Sequence, residues 1–207
     1  MYFKRLMASA ALATGVGFAA GAHADVLYDN LGAVSDGADP AGFIYGLFDS
    51  FSTGGTATTG EKATLLLSGD PFSGGFFAVG LFSDNAGAPG TLQDINFDVD
   101  ADLSIMPTPL TYGFHDPLAA NTRYWIGLGG LTSAFWSWSL DTSGTGVANE
   151  FFANPTGISP NVDGPYQMQV TSGAVPEPAT WAMVLVGLGA AGGMLRRARR
   201  AGAAATA

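Results

Sequence analysis

The strongest constraint on the fold of this chain is a run of apolar and polar residues that alternate one for one. From Ile95 to Ile105 the odd-numbered residues are apolar, and the even-numbered residues are polar or acidic. Successive side chains of a β-strand point to opposite faces, so this period of two predicts a strand that is buried on its apolar face. The even-numbered face carries Asp98, Asp100 and Asp102 and is expected to face solvent.

The same period recurs in shorter segments between residues 25 and 174. Further strands are predicted at Val26–Tyr28, Phe43–Phe51, Ala63–Leu67, Phe76–Phe82, Leu110–Phe114, Tyr124–Leu128, Trp136–Leu140 and Tyr166–Val170. Clusters of Gly, Pro, Asn and Asp separate them, as in Ser83–Gly90. About nine short strands in one domain predict an all-β fold, an antiparallel two-sheet sandwich or jelly roll. Gly127–Gly130 falls inside a strand pattern and indicates a bulge or close packing.

The N-terminal segment has the composition of a targeting sequence. Lys4 and Arg5 precede an apolar stretch from Leu6 to about Ala20, and Ala22-His23-Ala24 follows. This order predicts a signal peptide over residues 1–24, with Ala22 and Ala24 as the small residues of its cleavage site. A buried N-terminal helix is the alternative. The exported domain is then residues 25–174, and because it contains no Cys, its stability must come from a hydrophobic core.

The C-terminal segment combines a proline strip, an apolar run and a cationic end. Two prolines flanking Glu177 cannot join a helix or a sheet, so Val175–Pro178 is expected to be extended and accessible. Ala179–Leu195 would rise about 26 Å as a helix, slightly less than a hydrocarbon core of about 30 Å. Trp181 suits one membrane interface, and the positive-inside rule keeps the terminal arginines cytoplasmic. These arginines are Arg196, Arg197, Arg199 and Arg200.

This pattern predicts a transmembrane helix over residues 179–195 and a short tail over residues 201–207. A plain membrane anchor is one alternative interpretation. A basic amphipathic tail is a second, but the run is apolar on all sides.

Val175-Pro176-Glu177-Pro178-Ala179-Thr180-Trp181, the Gly-rich apolar helix and the Arg cluster resemble the PEP-CTERM sorting signal of exported Gram-negative proteins, also known as an ice-binding protein C-terminal domain. The resemblance covers residues 175–200. It implies recognition by an exosortase-type membrane cysteine transpeptidase that cuts near the proline strip. It also implies inner-membrane anchoring before processing, delivery to the outer envelope or the extracellular space, and frequent association with exopolysaccharide.

The exported domain is in turn similar to the choice-of-anchor R type. The similarity rests on Leu27-Tyr28-Asp29-Asn30, Phe48-Asp49-Ser50-Phe51, Leu81–Asn85, Leu118–Trp125 and Trp136-Ser137-Trp138. It would cover about residues 26–170. This resemblance implies no activity.

The charge of the exported domain excludes some partners. Only Lys62 and Arg123 oppose sixteen acidic residues, so its formal charge is −14. Such a surface repels phosphate backbones, which excludes nucleic-acid binding.

Asp98, Asp100 and Asp102 have the spacing of the start of a Ca²⁺ loop, but Leu103 and Pro109 stand where that loop requires Gly and Glu. We therefore predict no cofactor and no metal. Ca²⁺ bound by these three aspartates is the alternative.

Three tryptophans are the remaining candidate binding residues. Trp125, Trp136 and Trp138 could stack on sugar rings, although the alternation of Trp136 and Trp138 with serines favours burial. Catalysis has little support, because His115 is the only His of the exported domain and no Gly-x-Ser-x-Gly turn exists.

The sequence predicts a non-enzymatic envelope, extracellular-matrix or biofilm protein. A glycan-binding or Ca²⁺-stabilised lectin-like module is the alternative. A hydrolase comes third.

Overall fold

A computed structural model of the 207-residue chain describes residues 24–72, 74–99, 103–132, 136–141, 150–161, 164–173, 185–193 and 196. The chain divides into two compact units, and all the described strands lie in the unit His23–Val175. Residues 185–193 are helical and belong to the other unit.

The described part of the β unit contains twelve strands in two antiparallel sheets. The strands are β1 (Val26–Asp29), β2 (Gly37–Ala41), β3 (Gly46–Ser52), β4 (Lys62–Gly69), β5 (Phe76–Asn85), β6 (Ala88–Val99), β7 (Thr108–Gly113), β8 (Arg123–Gly130), β9 (Trp136–Leu140), β10 (Glu150–Asn154), β11 (Gly157–Asn161) and β12 (Met168–Thr171).

Strand β4 organises the first sheet. It pairs with β7 on one side, and on the other side with β12 and then β9. Strands β1 and β2 extend this sheet from β12 and β9. The second sheet has the order β11-β10-β3-β8-β5-β6.

One hydrophobic core lies between alternating residues of both sheets. Phe77 of the second sheet packs against Trp136 and Tyr112 of the first, with ring centroids 5.5 and 6.4 Å apart. The largest other buried core side chains include Leu47, Phe51, Leu65, Leu67, Leu81, Trp138 and Tyr166. The all-β, antiparallel, two-sheet prediction is confirmed, and two sheets sharing one core fit the predicted sandwich.

Each predicted strand has a counterpart, but β2, β10 and β11 were not predicted. Strands β2 and β11 contain Gly and Pro, which usually indicate turns. Both are edge strands, so their prolines need not donate to a neighbour.

The predicted loop Ser83–Gly90 is also mostly strand. Ala86 and Gly87, with φ of 54° and 87°, form a two-residue turn between β5 and β6. Positive φ at both central residues is the hairpin geometry that matches strand twist.

The orientation predicted for the alternating strand is wrong from Ile95 to Val99 and at Ile105, whereas Leu103 is buried as predicted. Strand β6 is described as far as Val99, and its apolar residues Ile95, Phe97 and Val99 are exposed, as is Ile105. From Asp94 onward its even-numbered residues are the partly buried ones, and Asp98 accepts a hydrogen bond from the Tyr112 hydroxyl at 2.9 Å. Asp100 and Asp102 lie outside the described residues.

The register of the β5–β6 hairpin explains this inversion. A slip of one residue turns every side chain to the opposite face, and this hairpin contains irregular pairings between Leu81 and Asp84. Beyond them, Ile95 pairs with Gly80 and Phe97 pairs with Ala78, on the outward side of the sheet.

Candidate functional site

Most of the predicted sorting residues lie outside the described residues. These are Val175, Pro176, Glu177, Pro178, Trp181, Arg197, Arg199 and Arg200. Arg196 is helical and exposed, like the side chains of residues 185–193. Within the described ranges, no helix has both the length and the apolar character needed to cross a bilayer. The predicted helix over residues 179–195 extends past the described helix at both ends, so the predicted span stays a prediction.

The predicted signal-peptide cleavage site is described only in part. Ala24 is exposed, and Ala22 lies outside the described residues. The predicted cut after Ala24 therefore also stays a prediction.

The structure argues against the alternative of a glycan platform at Trp125, Trp136 and Trp138, because all three residues are at most 1% exposed. A sugar needs an open ring face to stack on. The Trp125 Nε1 donates to Asp84 Oδ1 at 2.9 Å, and Phe151 packs edge-on against its ring. The Trp138 ring stacks on Tyr166 with centroids 4.8 Å apart. The burial interpretation is confirmed.

The polar residues of β6 are engaged in hydrogen bonds within the domain. Asn96 Nδ2 donates to the Gly113 carbonyl at 3.0 Å, and the His115 backbone N–H donates to Asp94 Oδ2 at 2.8 Å. That N–H is the main reason why the pKa of Asp94 is lowered, and the His115 ring adds a smaller effect. Across the described ranges, no three acidic or His side chains form a group that could hold a metal ion.

The outward face of the second sheet carries an apolar groove, which we call the outer groove. It encloses a cavity of about 190 Å³. Its floor contains Gly80, Gly127 and Gly129, and its walls include Phe48, Phe82, Leu92 and Ile95.

Glycines in neighbouring strands create this groove. Gly127 pairs with Gly80 on one side and with Phe48 on the other. A Cβ on Gly127 would lie 2.6 Å from the Phe48 ring and 2.7 Å from the Phe82 ring, so both rings lie over the backbone there. A Cβ on Gly129 would meet nothing within 4 Å, which leaves that part of the floor open. The close packing predicted for Gly127–Gly130 is thus confirmed at Gly127.

A second cavity of about 310 Å³ adjoins the outer groove. The two cavities share Gly46, Gly129 and Gly130, and the second is also lined by Phe43, Ile44 and Pro155. Phe43 and Ile44 are exposed. The lining of the outer groove offers no charged or hydrogen-bonding side chain, so it suits an apolar surface better than a polar ligand.

Comparison with known proteins adds one match. The PEP-CTERM protein-sorting motif matches residues 174–200, which confirms the predicted sorting signal. No curated protein matches the chain. The similarity to the choice-of-anchor R type stays a prediction. The motif indicates an exported protein that is handled at the membrane and targeted to an exosortase.

Proposed function

We propose that this protein is exported, processed by an exosortase-type transpeptidase and delivered to the outer envelope or the extracellular matrix. In this proposal residues 1–24 are removed, residues 179–195 anchor the chain in the inner membrane, and the enzyme cuts near Pro176–Pro178. The observation that carries the proposal is the sorting motif at residues 174–200.

We propose further that the β domain has a structural or surface role and catalyses no reaction. Its outer groove is lined only by apolar side chains and backbone, and the carboxylates of Asp94 and Asp98 are used in hydrogen bonds within the domain. General acid–base chemistry requires groups that face a substrate instead.

The charge of the domain supports its release after processing. Lys62 and Arg123 are its only cations against sixteen acids. Anionic headgroups attract basic segments and repel acidic ones. Once the helix is cut away, electrostatics therefore favour departure from the membrane surface.

The glycan-binding alternative is weaker than the sequence indicated. Its three tryptophans are buried, and a sugar in the outer groove would find the rings of Phe48 and Phe82 but no hydrogen-bonding side chain. We therefore propose that exopolysaccharide surrounds the delivered protein and is not bound in the outer groove.

The proposal is tested by following the Glu177→Ala variant in the native host. We expect the wild type to mature to a shorter mass that lacks the apolar segment and to leave the inner membrane. The variant should keep the longer mass and stay in the membrane, because the strip no longer fits the processing enzyme. The matched control is Ala204→Val, which lies beyond the motif and should behave as the wild type.

A host strain that lacks its transpeptidase provides the second arm. There the wild type should behave as the Glu177→Ala variant does. If Glu177→Ala has the mass and location of the wild type in the normal host, the sorting proposal is wrong and residues 179–195 act as a plain anchor.

A further inference from the structure

Within the described residues, strand β6 ends the second sheet, and its outer backbone edge pairs with no strand. Among the residues that the structure describes, β6 pairs only with β5. The N–H groups of Ile95 and Val99 donate to the carboxylates of Asp94 and Asp98, at 2.7 and 2.8 Å, and not to a strand. These groups therefore point away from β5. Phe97 is two residues away from both Ile95 and Val99. Its backbone N–H and C=O groups therefore also point away from β5.

The other edge strands have features that oppose pairing. Strand β2 contains Pro40, β7 contains Pro109 and β11 contains Pro160, while β1 has only four residues. Proline and short length are two of the usual protections of a sheet edge. From Thr91 to Val99, β6 has no proline, and its outward side chains include exposed Ile95, Phe97 and Val99.

We propose that β6 pairs antiparallel with β6 of a second copy of this chain, around a two-fold axis at Phe97. In this register Phe97 lies opposite Phe97, and Ile95 lies opposite Val99 on both sides of the axis. Cross-strand apolar pairs are the unit that stabilises a sheet. Pairing would remove from water the apolar row that the single domain exposes.

The apolar side chains select this register over its neighbours. With the axis at Phe97, Ile95, Phe97 and Val99 pair only with one another and Asn96 lies opposite Asp98 of the second copy, while Asp94 would oppose Asp100 only if pairing continued past Val99. An axis at Asn96 would oppose Asp94 to Asp98 twice. An axis at Ile95 would place Phe97 opposite Gln93. Like charges that face each other across strands are destabilising.

The hydrogen bonds that pairing displaces are replaced. The N–H of Val99 leaves Asp98 Oδ1 and donates to a carbonyl of the second copy. Asn96 Nδ2 has two hydrogens and uses one for the Gly113 carbonyl. Its second hydrogen faces the freed Asp98 Oδ1 of the second copy. Asp94 loses the Ile95 N–H but keeps the His115 N–H on its other oxygen.

Two-fold pairing closes the assembly at a dimer. Each copy uses the same edge, so neither retains an open β6. The prolines of β2, β7 and β11 oppose further growth at the remaining edges.

The mass of the full chain in mild, density-matched detergent tests the dimer. By sedimentation equilibrium we expect a dimer for the wild type and a monomer for Phe97→Glu, which sets two carboxylates against each other at the axis. The matched control is Phe72→Glu, the same change at a turn residue that is 92% exposed, and it should remain a dimer. Association through the terminal segments would be equal in all three proteins.

A monomeric wild type, or equal masses for the wild type and Phe97→Glu, would overturn the proposal. Thermal melting of each protein verifies that it is folded. Failure of this test leaves the sorting proposal intact, because the two use different residues and different measurements.

A single cysteine tests the register. The chain has no Cys, so Phe97→Cys introduces one thiol per copy. Residues opposite each other in a hydrogen-bonded antiparallel pair have Cα atoms about 5.5 Å apart, within reach of a disulfide. Under mild oxidation we expect Phe97→Cys to cross-link about tenfold or more faster than Phe72→Cys, because pairing raises the local thiol concentration. Equal rates would show that the axis is not at Phe97.

Discussion

At the scale of single residues, Glu61 is a buried acidic side chain whose carboxylate lacks a described hydrogen-bond partner. It precedes β4 and is 1% exposed, and neither carboxylate oxygen has a hydrogen-bond partner in the described part of the chain. Its backbone carbonyl accepts the Phe114 N–H at 2.8 Å, so the segment is held in place regardless of the side chain. An unpaired buried polar group lowers the free energy of unfolding, and an ionised one lowers it more.

We therefore expect Glu61→Gln to raise the free energy of unfolding by about 1 kcal/mol, because the amide keeps the shape and removes the charge. Urea denaturation of the full chain measures this change. Asp25→Asn, which removes a carboxylate from an exposed residue, is the control and should change stability little. A loss of stability in Glu61→Gln would show that the buried carboxylate is bound by a group such as water or a cation.

At the scale of single elements, β8 shows how one strand serves both the core and the outer groove. Two consecutive glycines of β8, Gly129 and Gly130, lie in different environments. A Cβ on Gly130 would collide with the Trp136 ring and approach the Gly42 carbonyl carbon to 2.5 Å, whereas a Cβ on Gly129 would enter open space. Gly130 thus permits the close contact between β8 and the residues around it.

Substitution of these two glycines separates the two environments. Gly130→Ala should lower the free energy of unfolding by about 1–3 kcal/mol, since part of the obstacle is backbone that cannot rotate away. Gly129→Ala is the matched control, and its effect should stay within about 0.5 kcal/mol. Equal losses at both positions in urea denaturation would contradict the close contact at Gly130.

Strand β6 is the element that sequence reasoning oriented incorrectly, and the predicted strand Ile95–Ile105 overlaps it only at residues 95–99. The alternation located this part, because period two is a local property of any strand. Which face is buried depends on the register with β5 and on Tyr112 and Gly113, which accommodate Asp98 and Asn96. Nothing in the alternation itself carries that information.

At the scale of the whole molecule, the charge of the exported domain opposes its own compact state. Two cations against sixteen acids leave a formal charge of −14, so self-repulsion favours unfolding and added salt should screen it. Burial of Leu65, Phe77 and Trp138 and their neighbours must outweigh this repulsion.

The melting temperature of the full chain should therefore rise with NaCl. It should rise equally with CaCl₂ at the same ionic strength, because screening depends on ionic strength. A larger rise with CaCl₂ that disappears in the Asp98→Asn variant would instead reveal a Ca²⁺ site at Asp98, Asp100 and Asp102. This comparison separates general screening from a bound metal.

The sequence alone determined the features that depend on neighbouring residues. Period two located the predicted strands, and the Pro176-Glu177-Pro178 strip before an apolar run and four arginines identified the sorting signal. A proline strip excludes helix and sheet wherever it occurs, so the recognition of such a signal needs no fold.

Only the tertiary structure decided which surfaces are available. In the folded protein Trp125 is buried beneath residues of other strands. The Pro-containing strands β2 and β11 form sheet edges, and the apolar row of β6 is exposed. The physical reason is that burial and pairing depend on which strands meet and in what register, and those partners are distant in the chain. The same local pattern can therefore face a core, a groove or a second copy of the protein.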